Sequence, residues 1–324
     1  MTLPQISVVM PVFNAGGYLS LAIKSILSQS LGDFEFLIYD DGSTDGSIDI
    51  LRAFAAADSR IKVHLGTHHG LTVWLNQGIS DAVGAYIARM DADDIATPDR
   101  FALQASFLAR HPDVAVVGGQ ALEIDPDGDP LFRHNLPLGH SKIDSEQMAG
   151  RSGMLLHPAT MMRRQALLNV GGYRVEFQDA EDVDLWLRLA EIAVLANLPD
   201  VVLHYRHHPK SVSQTRRENQ WSLYQRSIAE ARERRHLPPT ATVSYYKVYD
   251  VEWNRFFFIR SRTSGYYRTS RKYAWRIAKQ TPCSIETWMF LASGFSARHT
   301  QRLKRAFHKI IKHIRGKTGA KPEP

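Results

Sequence analysis

The stretch GAYIARMDADD, residues 84–94, joins an apolar run directly to a cluster of aspartates. The apolar residues 85–90 predict a buried strand. Aspartate is depleted inside strands and neighbouring carboxylates repel one another, so Asp91, Asp93 and Asp94 are expected just beyond the strand. A Mg²⁺ or Mn²⁺ ion would offset this repulsion, because both ions bind carboxylate oxygens and leave positions open for phosphates. The structural alternative is that Asp93 or Asp94 caps the helix that follows.

The alternation of strand and helix patterns around this stretch predicts the fold class. Apolar runs predict strands at residues 6–12, 34–39, 61–65, 85–90 and 114–117, the last ended by Gly118 and Gly119. Helical spacing predicts helices at residues 18–28, 45–57, 71–82 and 101–109, with Ser43 or Thr44 as the N-cap of the second. Strands separated by helices favour an α/β fold with a mostly parallel sheet and helices on both faces.

The pattern changes after residue 120. It predicts a hairpin with a turn at 125–128, a strand at 154–163, a helix at 180–191, a strand at 201–206 and a helix at 216–235. Pro238 and Pro239 interrupt the helical pattern. The sequence therefore predicts three parts, namely a domain over residues 1–215, a helical linker over 216–240 and a basic helical C-terminal region over 241–324.

Polar residues follow three of the predicted strands. They are the segment Pro11–Asn14, the pair Asp40-Asp41 and the aspartate cluster. In sheets of this kind, ligands bind outside the carboxyl ends of the strands. The carboxylates of Asp40 and Asp41 can accept hydrogen bonds from a nucleobase N–H group or from ribose hydroxyls. These three strand ends therefore predict one ligand site.

A second acidic pair, Glu181-Asp182, opens the predicted helix at 180–191. Carboxylates at a helix N-terminus are stabilised by the free N–H groups and by the macrodipole, so a capping role is one interpretation. The functional interpretation is a general base, in which one carboxylate accepts a proton and the other holds that carboxylate in place.

Several other kinds of site are excluded. The dinucleotide-binding glycine pattern and the Walker A pattern are absent from the sequence. The EF-hand loop pattern does not fit the residues that start at Asp41, because its twelfth position requires a glutamate and Arg52 stands there. The single cysteine, Cys283, excludes an intramolecular disulfide and a Cys-rich metal site.

Six segments in one order resemble the family-2 glycosyltransferases over roughly residues 5–215. They are PVFN (11–14), DDGSTDGS (40–47), GLTVWLNQGI (70–79), GAYIARMDADD (84–94), AEDVDLWLRLA (180–190) and YRHHPKSVS (205–213). The resemblance implies a GT-A fold, with a nucleotide-binding half that carries a D-x-D motif and an acceptor half that holds the base. It also implies transfer of a sugar from a nucleotide-diphosphate donor with inversion at the anomeric carbon.

The resemblance also implies roles for individual residues. Asp93 would bind Mn²⁺ or Mg²⁺ together with the diphosphate, and His208 is a further expected metal or phosphate ligand or, alternatively, a loop histidine. Asp182 would be the base, with Glu181 beside it. The donor nucleotide is expected to contact Pro11, Val12, Asn14, Asp40, Asp41, Asp91 and Ala92. The pair His68-His69 departs from the family, which often has asparagine or another polar residue there.

The charge of the chain is divided unevenly. The whole chain of 324 residues carries +7, but residues 254–324 contain 17 Lys and Arg against 2 Asp and Glu, so the rest of the chain is acidic. From Ala297 to Arg315 the sequence has an apolar stripe at helical spacing and a basic opposite face. This pattern predicts binding to an anionic membrane surface. The alternative is packing of the stripe on the protein itself or on a second copy in a homo-oligomer.

These features predict a cytoplasmic enzyme, peripheral on the inner face of the cytoplasmic membrane. The N-terminal residues lack the pattern of a signal peptide. The expected acceptor is a saccharide or a lipid-linked saccharide. A nucleic acid is not an expected partner, because the body of the chain is acidic and no known binding motif is present. Two alternatives are a hydrolase with paired carboxylates and an inactive partner subunit. Neither of them requires the two intact acidic motifs together with a nucleotide crevice.

Overall fold

The computed structural model describes residues 3–209, 217–239 and 252–280. The described strands are β1 Ile6–Val12, β2 Phe34–Asp40, β3 Ile61–Leu65, β4 Tyr86–Arg89, β5 Ile95–Ala96, β6 Val114–Ile124, β7 Pro130–Arg133, β8 Met161–Arg163 and β9 Val194–Arg206. The described helices are α1 Gly16–Leu27, α2 Ser47–Ala57, α3 Leu71–Asp81, α4 Arg100–Arg110, α5 His140–Met148, α6 Arg164–Asn169, α7 Glu181–Leu189, α8 Arg217–Arg234, α9 Trp253–Thr263 and α10 Tyr267–Gln280.

The strands form one mixed sheet in the order β3-β2-β1-β4-β8-β6-β9-β5, with β7 paired to β6. Pairing is parallel between β3, β2, β1 and β4. It is antiparallel where β8 meets β4 and β6, and where β5 meets β9. The predicted α/β class is confirmed, and its parallel part is the first four strands of the sheet.

Alternating side chains of β1 build the core on both faces of this sheet. Val8 and Met10 pack on one face with the apolar residues of α1 and α4, whereas Val9 packs on the other with Leu75 and Ile79 of α3. Successive residues of a strand point to opposite faces, so an unbroken apolar run is what a strand buried on both sides requires. Helices therefore cover both faces, as predicted.

The prediction that Gly118 and Gly119 end a strand is wrong, because β6 continues through them to Ile124. A Cβ atom at Gly118 would lie 2.2 Å from the side-chain oxygen of Asn197, and one at Gly119 would lie 2.7 Å from Val202. Both partners belong to β9. These glycines therefore allow close packing of β6 against its neighbour and do not terminate it.

Two further expectations are corrected. The predicted strand 154–163 is a strand only at Met161–Arg163, because His157–Ala159 forms a 3₁₀ turn that contains Pro158. Neither Ser43 nor Thr44 is the N-cap of α2, whose N-cap is Gly46; the Asp45 carboxylate instead accepts a hydrogen bond from the Ser47 N–H at 3.1 Å.

Among the described residues, a second compact unit consists of Ile124–Phe132 and of residues 252–280, which include α9 and α10, and the remaining described residues form the first unit. Leu131, Phe257 and Tyr273 are buried in the core of the second unit. The predicted hairpin turn is confirmed, with Gly128 at φ +90° and the Asp125 carboxylate accepting two backbone hydrogen bonds. Among the described residues, no helix combines the length and the apolar character that crossing a membrane requires.

Candidate active site

Three carboxylates meet just beyond β4. Asp91, Asp93 and Asp94 each supply an oxygen, and these atoms all lie within 4.8 Å of one another. Asp94 is buried, and its Oδ1 accepts a hydrogen bond of 2.8 Å from the Arg206 N–H. Its Oδ2 is also buried and has no hydrogen-bond partner among the described residues. Burial, together with repulsion by Asp93 and Asp91, raises the pKa of Asp94. A hard divalent cation fits this oxygen-only set, because it would offset the repulsion.

The end of β9 holds this cluster in place. His208 Nε2 lies 2.8 Å from Asp93 Oδ2, and the Arg206 guanidinium donates a hydrogen bond of 2.8 Å to the Asp93 carbonyl. Arg206 also stacks on the Tyr18 ring at 4.6 Å. His208 is therefore in direct contact with the D-x-D segment, and its expected role as a metal or phosphate ligand stays a prediction.

The second acidic pair lies at the first turn of α7. Glu181 is buried, and its Oε2 accepts a 2.9 Å hydrogen bond from the Asp179 N–H. Burial and the nearby Asp182 charge raise the pKa of Glu181 to about 7. Asp182 is half-buried, its Oδ1 accepts a 2.8 Å hydrogen bond from the Val183 N–H, and burial raises its pKa as well. Raised pKa values suit a carboxylate that takes up a proton near neutral pH.

The two acidic groups face one cavity of about 280 Å³. Its lining includes Arg89, Asp91, Asp93, His157, Glu181 and Asp182. The D-x-D segment and the Glu-Asp pair, which are far apart in sequence, therefore share one hollow. Arg89 is a buried cation of this wall, and its guanidinium lies 2.5 Å from the Asp91 carboxylate.

Of the residues expected to contact the donor nucleotide, Asp91 lines this cavity. The others lie along the adjacent strand ends and are not part of its lining, namely Pro11, Val12, Asn14, Asp40, Asp41 and Ala92. Val12 pairs in register with Asp40, and Pro11 precedes it on β1. Asp40 is buried; its Oδ1 accepts hydrogen bonds from two backbone N–H groups, and its Oδ2 has no partner among the described residues. Asn14 is exposed at φ +51°, and its Oδ1 accepts a 2.8 Å hydrogen bond from the Thr44 N–H.

Asp41 is fully engaged with the loop before α3. Its Oδ1 accepts hydrogen bonds from the His69 N–H at 2.6 Å and from the Trp74 indole at 2.7 Å, and its Oδ2 accepts one from the Gly70 N–H at 3.1 Å. These bonds fix the loop that carries His68. Contact between Asp41 and a nucleotide stays a prediction, as do the contacts expected of Pro11, Val12 and Ala92.

Residues 7–171 match the family model described as glycosyl transferase family 2. This match covers half of the chain. The chain belongs to this family. It is 38% identical over 192 residues to EpsE of Bacillus subtilis (strain 168), which is named as a glycosyltransferase, covering 58% of this chain and 67% of EpsE. It is 31% identical over 217 residues to the O-antigen biosynthesis glycosyltransferase WbnJ of Escherichia coli, covering 66% of this chain and 84% of WbnJ.

The fold of this glycosyltransferase is similar to that of a solved mannosyltransferase. PcManGT from Pyrobaculum calidifontis, solved in complex with GDP-Man and Mn²⁺, superposes with a TM-score of 0.57 at 17% identity. The match covers 97% of this chain and 87% of PcManGT. The predicted GT-A fold is confirmed by this likeness and by the family.

Sequence reasoning missed several residues that line the candidate site, and three of them have notable properties. Arg89 and His157 line the cavity, and burial lowers the pKa of His157 well below its usual value, so this histidine is neutral. Asp179 also lines the cavity and adopts φ +89°, a strained conformation for a residue with a side chain. Only Arg89 gave a signal, as a charge inside an otherwise apolar strand.

The raised pKa of Glu181 predicts how stability depends on pH. The unfolded glutamate ionises near its ordinary value of 4.5, whereas the folded one keeps its proton up to about 7. The folded state binds the extra proton, so its unfolding free energy falls as pH rises through this window, by about 3 kcal/mol in all. We expect Glu181→Gln to lose that part of the slope in urea unfolding between pH 5 and 8 in EDTA. Glu176→Gln, at an exposed site, should keep it, and equal slopes in both variants would contradict the assignment.

Proposed function

We propose that the protein is an inverting, metal-dependent glycosyltransferase that moves a sugar from a nucleotide-diphosphate donor to a hydroxyl group of a saccharide or lipid-linked saccharide. The observation that carries this proposal is the shared cavity of Asp93 and Asp182. A cation-binding group on one wall and a proton acceptor on another are what a single displacement at one sugar carbon needs. A nucleic-acid-binding protein or a scaffold has no use for that arrangement.

Asp182 is the proposed general base. The acceptor hydroxyl has a pKa far above neutral, so its proton must be removed as the oxygen attacks the anomeric carbon. Asp182 is half-buried, and its raised pKa makes it a stronger base than an exposed aspartate. The pKa of Glu181 is raised to about 7, so at neutral pH it is partly protonated and its repulsion of an ionised Asp182 is reduced. Attack from the face opposite the leaving group inverts the sugar carbon.

The aspartate cluster is the proposed cation site. Asp93 and Asp91 would hold Mn²⁺ or Mg²⁺, with His208 positioning the Asp93 carboxylate or acting as a further ligand. When bound, the cation stabilises the negative charge that develops on the leaving nucleoside diphosphate. Arg89 fixes Asp91 and balances part of the acidic charge in the wall.

The donor nucleoside is proposed to lie at the carboxyl ends of β1 and β2. Pro11 and Val12 end β1 there and Asn14 follows it, whereas Asp40 ends β2 and Asp41 follows it. The buried Asp40 Oδ2 is an acceptor that a ligand N–H or hydroxyl group can satisfy. Asp91 and Ala92 lie on the next strand end along, so they are proposed to contact the ribose and phosphate side of the donor.

The proposed product is a surface polysaccharide or glycolipid. WbnJ, one of the similar proteins, is named for O-antigen biosynthesis. A cytoplasmic location at the inner face of the membrane suits a lipid-linked acceptor, and the basic tail from Ala297 to Arg315 is the sequence feature in its favour. That segment lies outside the described residues.

A thermal-shift screen tests the donor assignment. A nucleotide sugar bound at 100 times its Kd should stabilise the protein by about 2.7 kcal/mol, because it binds only the folded state. We expect a rise in Tm with at least one UDP-, GDP- or dTDP-sugar in the presence of Mn²⁺, and a smaller rise in EDTA. If none of these sugars raises Tm with the metal present, the donor assignment is wrong.

A further inference from the structure

The second unit carries an exposed cationic and aromatic stripe that the transfer site does not use. Arg268, Trp275 and Lys279 are all exposed on α10. Their spacing of seven and four residues places them on one face of the helix. The opposite face, which includes Tyr273 and Ile277, is buried in the core of the unit. The helix therefore has an inner apolar face and an outer face of cations around an indole.

Acidic side chains within this unit leave the stripe uncompensated. The acidic residues in its described part are Asp125, Asp127, Asp129 and Glu252. Lys272 contacts all three aspartates, Arg276 contacts the middle one at 2.8 Å, and Arg255 pairs with the glutamate at 2.6 Å. No described residue forms an ion pair with Arg268 or Lys279. The charge of the outer face thus remains available to an external anion.

The exposed indole narrows the choice of partner. Trp275 is 56% exposed to solvent, which is unusual for so large an apolar residue. At a bilayer interface, an indole ring lies at the level of the lipid headgroups, where cations on the same helix face meet lipid phosphates. A helix that lies flat on the surface presents both kinds of group at once.

We propose that this face of α10, defined by Arg268, Trp275 and Lys279, binds the anionic surface of a lipid bilayer. It extends the proposed membrane location to residues other than the tail and does not depend on the transfer reaction. Sequence on the C-terminal side adds to the attraction, because residues 281–324 contain 9 Lys and Arg against 2 Asp and Glu.

Vesicle co-sedimentation of the full chain tests the proposal. We expect binding to vesicles of two parts phosphatidylcholine and one part phosphatidylglycerol, weak binding to phosphatidylcholine alone, and loss of binding at high salt. Reversing two cations in Arg268→Glu/Lys279→Glu should lower the partition coefficient at least about tenfold. Trp275→Ala should lower it several-fold. Lys24→Glu/Arg52→Glu, with the same change in net charge on exposed residues of the first unit, should bind as the native protein does.

Three results would overturn the proposal. Equal losses in both double variants would show that net charge alone matters, and unchanged binding of Arg268→Glu/Lys279→Glu would assign any binding to other residues. Variant-sensitive binding to an RNA homopolymer, with none to vesicles, would assign the face to a nucleic acid. The thermal shift with a nucleotide sugar should be unchanged in every variant. It therefore tests the donor assignment independently of vesicle binding.

Discussion

Replacing Asp182 by asparagine should lower kcat by about 10²–10⁴-fold, the usual contribution of a general base. The amide has nearly the same shape as the carboxylate but does not take the proton of the acceptor hydroxyl. Donor binding should persist, because the proposed cation and nucleoside sites lie on other elements. Initial transfer rates, measured with the nucleotide sugar that gives the largest thermal shift, check the first effect, and that thermal shift itself checks the second.

Asp49→Asn is a matched control for this change, because its side chain is 86% exposed on α2. It should transfer sugar at the native rate. Native turnover in Asp182→Asn would remove the proposed base. A loss of donor binding equal to the loss of rate would instead assign Asp182 to the donor site.

Replacing Asp93 by alanine should reduce kcat/KM by about 10³-fold, because a cation that stabilises the leaving diphosphate contributes several kcal/mol. The variant should also lose Mn²⁺-dependent donor binding, since alanine supplies no oxygen to the cluster. Calorimetric titration of Mn²⁺ in the presence of UDP or GDP measures that loss directly. His208→Ala should have a smaller effect, about 10–100-fold in metal affinity, if His208 positions Asp93.

The exposed Asp99, six positions further along the same segment, provides the control. Its side chain makes no capping hydrogen bond to α4, so Asp99→Ala should leave both Mn²⁺ affinity and turnover unchanged. If Asp93→Ala keeps native turnover in EDTA and in Mn²⁺ alike, the proposed metal dependence is wrong.

Periodicity was sufficient to predict most of the parallel part of the sheet. Strands β1 to β3 begin at the predicted residues, because strands buried on both faces are unbroken apolar runs between turn residues. β5 and α6 have two and six residues, which is too short for a periodic signal. Gly118 and Gly119 misled the prediction, since a glycine that ends a strand and one that admits a close neighbour look the same in sequence.

The candidate site was predictable only where its residues form a local motif. Asp93 and Asp182 belong to short acidic motifs at the ends of predicted elements, and the cavity contains both. The position of His157 in the site depends on contacts with later segments of the chain. Its Nε2 lies 2.8 Å from the Tyr173 hydroxyl, and its ring packs against Trp186 of α7. Asp41, in contrast, belongs to a local motif, but its carboxylate accepts hydrogen bonds from the loop before α3, which the motif did not predict. Tertiary contacts of this kind leave no spacing pattern in the sequence.

A crystal structure with Mn²⁺ and the nucleoside diphosphate of the preferred donor would show whether one cavity holds both the cation at Asp93 and the proposed base Asp182. We expect anomalous density for manganese within coordination distance of the Asp93 carboxylate, with the diphosphate beside it and the Asp182 carboxylate facing the open sugar position. Manganese and diphosphate bound away from Asp93, or Asp182 turned out of the cavity that holds them, would contradict it.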